Sequence, residues 1–302
     1  MRKLLVLGFV GLLAQLIDGS LGMAYGVTSS TLLLAVGIAP AAASAAVHFS
    51  EIGTSLVSGF SHHKLGNVDW RTVGILAVPG FVGAFAGATF LASLDGDMAK
   101  PWVAGILLAL GVYVIWRFLV LGGRRPTFKS RPSAKMLAPM GLAGGALDAI
   151  GGGGWGPVGT TTLLSSGRLE PRKVVGSIDT SEFVVAVGGS LGFLFALSTS
   201  EIPWDYALAL LAGGVIAAPI AAYLVRILPA RVLGVAAGGL IVVTNSKTIA
   251  ESFGATGAQV GLISGGLAVL WIAGIVWAVG QERASRRLEA AAVAGERPLV
   301  EA

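Results

Sequence analysis

Apolar residues dominate this chain in runs longer than soluble helices use, and the polar positions that interrupt them are few and clustered. Runs of about 20 residues, enough to cross a hydrocarbon core, fall at 41–60, 71–92, 101–121, 173–197, 205–228, 231–249 and 257–280. Each predicts a spanning helix. Two further stretches, 3–38 and 136–166, are too long for one helix and carry interruptions near their centres, at "DGSLGMAYG" (18–26) and "DAIGGGGWGP" (148–157). They read as pairs of half-helices. The opening "MRKLLVLGFVGLLAQL" is similar to a signal peptide, but no small-residue cleavage site follows it, so it is expected to stay as structure.

The two broken stretches are related. Sliding the sequence along itself aligns Asp18 with Asp148, Gly22 with Gly152, Tyr25 with Trp155, Gly26 with Gly156 and Thr31 with Thr161. Further on, "HFSE" (48–51) falls on "DTSE" (179–182), and "VDW" falls on "IPW". An internal duplication of this kind is common in transporters. Lys and Arg in short loops set the orientation. The linker "GGRRPTFKSRPSAK" (122–135) holds five basic and no acidic residues, so it is expected inside, with the tail bearing Arg283, Arg286 and Arg287. The connections at 61–71 and 168–173 then also fall inside. Arg2 and Lys3 disagree, and a single long tilted first helix stays open. Each half has a hairpin and three crossings, an odd number, so the second half would be inverted about an axis in the membrane plane.

The expected organisation is a first repeat over 1–121, a basic cytoplasmic linker over 122–135 and a second repeat over 136–249. An extra span over 250–280 and a cytoplasmic tail over 281–302 follow. Composition agrees with an all-α polytopic membrane protein. Of 302 residues 54% are hydrophobic and 12% charged, and mean hydropathy is +0.80, where soluble domains carry about 25% charged residues. There is no cysteine, which excludes disulfides and thiolate metal sites.

Backbone can leave a helix at membrane depth only where protein or a cavity satisfies it, so the breaks mark a site. A half-helix starting near Trp155 would turn unpaired N–H groups and a positive dipole end towards an anion, and the break at 18–26 would do the same from the other side. Asp18 and Asp148 would repel an anion, and tying down loop amides is their expected role. The hydroxyls of Thr28, Ser29, Ser30, Thr31, Thr160, Thr161 and Thr162 follow one turn on, where bonding back to the helix competes with ligand contact.

Ionisable groups inside the bilayer are costly and point to function. His48 and Glu51 share a helical face at i and i+3, as do Asp179 and Glu182 in the duplicate. Paired carboxylates on a buried face resist ionising together, so these four suit a proton relay, with the two pairs facing each other. Helix-to-helix hydrogen bonds are an equal account of them. His62, His63 and Lys64 read as a basic loop cluster in which metal binding is not expected. Lys247 and Asn245 lie near a span end, where snorkelling accounts for the lysine.

The glycine-rich breaks followed by hydroxyl-bearing helices, the Ser50, Glu51, Ser58, Gly59 pattern and the basic linker together resemble the sulfite exporter TauE/SafE family, over most of the chain to about residue 250. "GGGGWGP" (151–157) resembles the family's second glycine motif closely, whereas "DGSLGMAYG" departs from the glycine-triplet form of the first. The resemblance implies a multi-pass permease of the bacterial inner membrane for sulfite, organosulfonates or related anions. The substrate is then expected at Gly22, Tyr25, Gly26, Ser29, His48, Gly152, Gly153, Gly154, Trp155, Thr160 and Thr161, with protons carried by His48, Glu51, Asp179 and Glu182. Outward, proton-coupled movement is expected, with no cofactor, no metal and no enzymatic activity. Expected partners are the small anion and the lipid bilayer, with no nucleic acid; oligomeric state is open, a homodimer included. The rival is a proton-coupled cation or metal transporter using the same carboxylates, which the lack of cysteine weakens for soft metals. An intramembrane hydrolase lacks a nucleophile and base, since His48 and Ser50 point to different faces.

Overall fold

A computed structural model describes residues 2–120, 131–166, 168–224 and 230–293. Among the described residues there are eleven α-helices, one 3-10 turn and no strand. The first half runs α1 (Arg2–Leu21), α2 (Tyr25–Ala35), α3 (Pro40–Lys64), α4 (Trp70–Ala92) and α5 (Gly96–Val120). The second repeats the order with α6 (Ala134–Gly151), α7 (Trp155–Ser166), α8 (Pro171–Ala196), α9 (Trp204–Leu224) and α10 (Ala230–Ser252), and α11 (Gly257–Val293) follows. Most of the basic linker, residues 121–130, lies outside the described residues.

Local chemistry explains these boundaries. Pro40 and Pro171 open α3 and α8 at positions where a missing N–H costs nothing. Asp69 caps α4, its carboxylate accepting the Thr72 N–H at 2.9 Å and the Thr72 hydroxyl at 2.8 Å. Burial works against its charge, but those two bonds, then Arg131 and Lys173, outweigh it and hold the carboxyl below its ordinary range. At the other end of that loop α3 stops in a Schellman turn. Gly66 has φ +69°, its N–H reaches the His63 carbonyl at 3.0 Å, and the Asn67 N–H reaches the His62 carbonyl at 2.9 Å.

Two expectations are corrected. Both broken stretches are indeed two helices, but α1 is no half-helix. Its 20 residues span about 30 Å, and it is long and apolar enough to cross a membrane, whereas α2 and α7 have 11 and 12 residues. Next, α3 runs four residues past position 60, which draws His62 into the helix. The expected tail, as far as it is described, continues α11 to Val293, with no Gly or Pro in "QERASRRLEAAAV" to interrupt the helix.

Six helices have the length and apolarity to cross a membrane: α1, α4, α5, α8, α9 and α11. Helices α3 and α10, 25 and 23 residues long, do not reach that apolarity. In α3 the reason is a buried polar stripe of Ser44, His48, Glu51, Ser55, Ser58 and His62. Such a stripe is tolerated because other helices enclose it. Packing is crosswise between halves: α1 lies on α9 as α6 lies on α4, α3 packs on both α8 and α9, α4 packs on α8, and α5 pairs with α10. Glycines let backbones approach in these pairs, as where a side chain on Gly87 would meet the Ala146 carbonyl at 2.6 Å. Helix α11 packs on α10 and is largely exposed.

Candidate functional site: two breaks and two acid clusters

The breaks are built alike. Helix α1 ends at Gly22 (φ +68°) and α6 at Gly152 (φ +67°), left-handed conformations that glycine adopts freely. The aspartate four residues earlier then reaches over the turn. Asp148 Oδ1 accepts the N–H groups of Gly154 at 2.7 Å and Trp155 at 3.0 Å, and Asp18 Oδ1 accepts the Tyr25 N–H at 3.2 Å. Both short helices therefore begin on a carboxylate, and the N–H groups expected to face an anion are partly occupied. The halves differ at one strained position. Ala24 has φ +109° where the second half has Gly154, a conformation that costs a side chain about 1–2 kcal/mol. Ala24→Gly should raise the thermal midpoint by about 2 °C, measured on purified protein.

The two breaks meet. Ser30 Oγ donates to the Gly152 carbonyl at 2.7 Å, Ser44 Oγ to the Ala149 carbonyl at 2.7 Å, and the Thr160 hydroxyl to the Gly22 carbonyl. Gly26 sits where a Cβ would lie 2.7 Å from the Gly152 carbonyl and 2.9 Å from Glu51 Oε1. So Glu51 stands over the first turn of α2, where the breaks touch.

Around this junction the acidic residues divide into two clusters. His48, Glu51 and Asp148 bring one ligand atom each within 4.8 Å of one another, as do Asp18, Asp179 and Glu182. This changes the expected pairing: His48 and Glu51 meet the aspartate of the opposite break before they meet Asp179 and Glu182. His48 Nε2 lies 3.4 Å from Asp148 Oδ2, so Asp148 holds α7 with one oxygen and faces His48 with the other. The cause is the crosswise packing of α3 and α8 against the breaks.

The clusters are unequal in hydrogen bonding. Helix α3 supplies donors to the second, Ser55 Oγ to Glu182 Oε2 at 3.1 Å and the Ser58 hydroxyl to Asp179, and brings His62 Nε2 within 3.3 Å of Asp179 Oδ2. At the matching places on α8 stand Ala186, Gly189 and Phe193. Gly189 leaves room for the His48 ring, and Phe193 meets that ring edge-on at 5.8 Å. The first cluster is accordingly undersupplied, with both Glu51 oxygens, Asp148 Oδ2 and His48 Nε2 buried without a hydrogen bond. The five carboxylates and two histidines are buried, and no Lys or Arg is buried among the described residues. A cavity of about 280 Å³ between α3, α4 and α8 is lined in part by Ser55, Gly59, His63, Trp70 and Thr180. Ser55 on its wall is the residue that donates to Glu182.

Several other expected site residues are engaged. The Tyr25 hydroxyl donates to Ser50 Oγ at 3.0 Å, Trp155 Nε1 to the Ile178 carbonyl at 3.1 Å, and Thr161 bonds back to Pro157. Thr28 and Ser29 keep buried hydroxyls without a partner. Gly153 packs on the Gly26–Val27 backbone, with a Cβ position 2.7 Å from Val27 Cα. Asn245 is buried and donates to Thr31 Oγ1 at 2.8 Å, a tie between α10 and α2, while Lys247 lies half-exposed 3.8 Å from Glu251. His62, expected in a basic loop, lies in α3 and is fully buried. The signal that locates it is the spacing of Glu51, Ser55, Ser58 and His62 at i, i+4, i+7 and i+11, one continuous face.

The family described as "Sulfite exporter TauE/SafE" matches residues 7–248, from α1 almost to the end of α10. The chain belongs to the TauE/SafE sulfite exporter family. This TauE/SafE chain is a multi-pass membrane transporter. It is 49% identical over 282 residues, 93% of this chain and 94% of the relative, to the "Probable membrane transporter protein YtnM" of Bacillus subtilis. A second Bacillus subtilis protein, "Probable membrane transporter protein YdhB", is 29% identical over 144 residues, 47% of this chain and 58% of its own. A "Probable membrane transporter protein" of Haemophilus influenzae is 26% identical over 157 residues, 51% of this chain and 57% of its own. No solved structure matches significantly. The family match ends before α11.

Proposed function

We propose that this TauE/SafE protein is a secondary transporter of a small sulfur-containing anion, sulfite or an organosulfonate, moved outward across the bacterial inner membrane and coupled to protons. The observation that carries the reading is the pair of buried acid clusters without a buried Lys or Arg among the described residues. Five ionised carboxylates in a dry interior would cost several kcal/mol each and would repel an anion. Protons taken up within the two clusters, on Glu51 and Glu182 first, remove both obstacles while leaving Asp179 ionised beside His62. Proton binding then favours anion binding, and by linkage the anion favours protonation, which is the requirement for coupled movement. The unpartnered hydroxyls of Thr28 and Ser29 offer donors beside Gly26 at the junction. The two halves act as an inverted pair, a reading supported by their crosswise packing and matched breaks.

A cation is the rival substrate, favoured by the convergence of His48, Glu51 and Asp148 within 4.8 Å. Thermal stabilisation separates the two. An organosulfonate keeps its charge across the accessible pH range, so it should raise the melting temperature more at low than at high pH, by an amount equivalent to about 2.7 kcal/mol at a hundredfold excess over Kd. Mn²⁺ or Zn²⁺ should do nothing. Stabilisation by the divalent ions and none by sulfonates or sulfite would transfer the site to the cation reading.

A further inference from the structure

His62 is the buried titratable group that the clusters above do not need. It closes the polar stripe of α3 one turn before the loop, and three elements hold it. Its Nε2 faces Asp179 Oδ2 of α8 at 3.3 Å and the Gly19 carbonyl of α1 at 3.2 Å. Its Nδ1 faces Asn67 Nδ2 at 3.2 Å. An amide nitrogen can only donate, so Nδ1 is the acceptor and Nε2 carries the hydrogen. The Schellman turn brings the two residues together: the Asn67 N–H reaches the His62 carbonyl at 2.9 Å while its side-chain amide meets Nδ1 of the ring.

Asn67 is clamped as well. Gly176 of α8 lies so close that a Cβ there would meet the Asn67 side chain at 2.9 Å. Within this clamp Asn67 Oδ1 is buried and has no hydrogen-bond partner. An orphaned buried acceptor costs about 1–3 kcal/mol, and here the remedy is adjacent. If His62 takes a proton on Nδ1, a half-turn of the Asn67 amide brings Oδ1 to accept it. The charged groups facing His62 are Asp179 and, in the same cluster, Asp18 of α1 and Glu182 of α8. His63 is exposed against Trp70, and Lys64 lies over Phe60.

We propose that His62 is a further proton-binding site of the transport cycle, holding its proton between Asp179 and the amide of Asn67 at the loop end of α3. It rests on the proton-coupled reading above and adds one proton to it. The proton is taken up on Nδ1, the imidazolium pairs with the Asp179 carboxylate, and release of the same proton restores the neutral ring and the present amide orientation. No covalent bond to carbon changes.

The test is the proton-to-anion stoichiometry of the full chain in proteoliposomes, read from the anion gradient that balances an imposed pH gradient. His62→Gln keeps an amide donor near Asp179 and removes the titratable nitrogen. It should lower the stoichiometry by one proton, so that accumulation at a gradient of one pH unit falls about tenfold. Asn67→Leu keeps the volume and removes the acceptor for the second proton. It should move the pH of half-maximal flux down by about one unit without changing the melting temperature at high pH in the same direction. Wild-type stoichiometry and pH profile in His62→Gln would overturn the proposal and leave the carboxylate coupling standing. If that variant does not fold, an unshifted profile in Asn67→Leu overturns it. Wild-type flux indifferent to the pH gradient would instead sink the proton-coupled reading itself, and this site with it.

Discussion

Glu51→Gln should abolish the response of anion flux to an imposed pH gradient and leave folded protein at wild-type yield. The structure gives both halves of that expectation. Neither Glu51 oxygen has a hydrogen-bond partner, so an amide of the same shape sacrifices no existing bond, and a group that cannot ionise is cheaper to bury. What disappears is the only state change Glu51 can make at the junction of the breaks. One coupled proton moving down one pH unit supports about tenfold accumulation, and proteoliposomes carrying the variant should show equilibration only. Glu182→Gln should behave likewise but cost more stability, because Ser55 already donates to Glu182 at 3.1 Å and an amide oxygen is a weaker acceptor than a carboxylate. Wild-type pH dependence in both variants would make the clusters structural. Loss of folded protein in both would favour helix-to-helix bonding as their purpose.

Much of the fold was legible because its punctuation is chemical. Glycine runs following an aspartate, prolines at helix starts and apolar lengths mark elements without knowledge of their neighbours, which is why α2, α4 and α7 begin and end close to where the sequence places them. The division of labour between α1 and α2 was not legible. Whether a long broken stretch splits into equal halves depends on packing against α9, which no local pattern encodes. The site was legible as a set of residues and misread as a set of pairs. Spacing puts His48 beside Glu51 and Asp179 beside Glu182, but only tertiary packing brings Asp148 to the first pair and Asp18 to the second. His62 is the instructive miss. Read as charge, "HHKLGN" is a basic loop; read as geometry, its Leu-Gly-Asn stop ends the helix after Lys64 and leaves His62 on the face of Glu51, Ser55 and Ser58.

Gly153→Ala should be the most damaging single methyl in the chain's centre. The second break is threaded against the first with backbone on both sides: an added Cβ would lie 2.5 Å from the Gly26 carbonyl carbon and 2.7 Å from Val27 Cα. Side chains can rotate away from a methyl, but a helix start cannot move without pulling Tyr25 from Asp18 and Ser30 from Gly152. Overpacking ordinarily costs 1–3 kcal/mol, and with no flexible neighbour the expected loss is about 3 kcal/mol or more, seen as a fall in the melting temperature and in yield. Gly26→Ala, aimed at the Gly152 carbonyl and Glu51 from the other side, should do comparable harm. Gly261→Ala on α11 is the control, since nothing lies within 4 Å of its Cβ position; there the helix gains up to about 1 kcal/mol. If Gly153→Ala melts with the wild type while Gly261→Ala behaves as expected, the breaks are not interlocked. Glu51 would then have no fixed junction to guard, and the coupling scheme would lose the contact through which protonation of α3 reaches the opposite half.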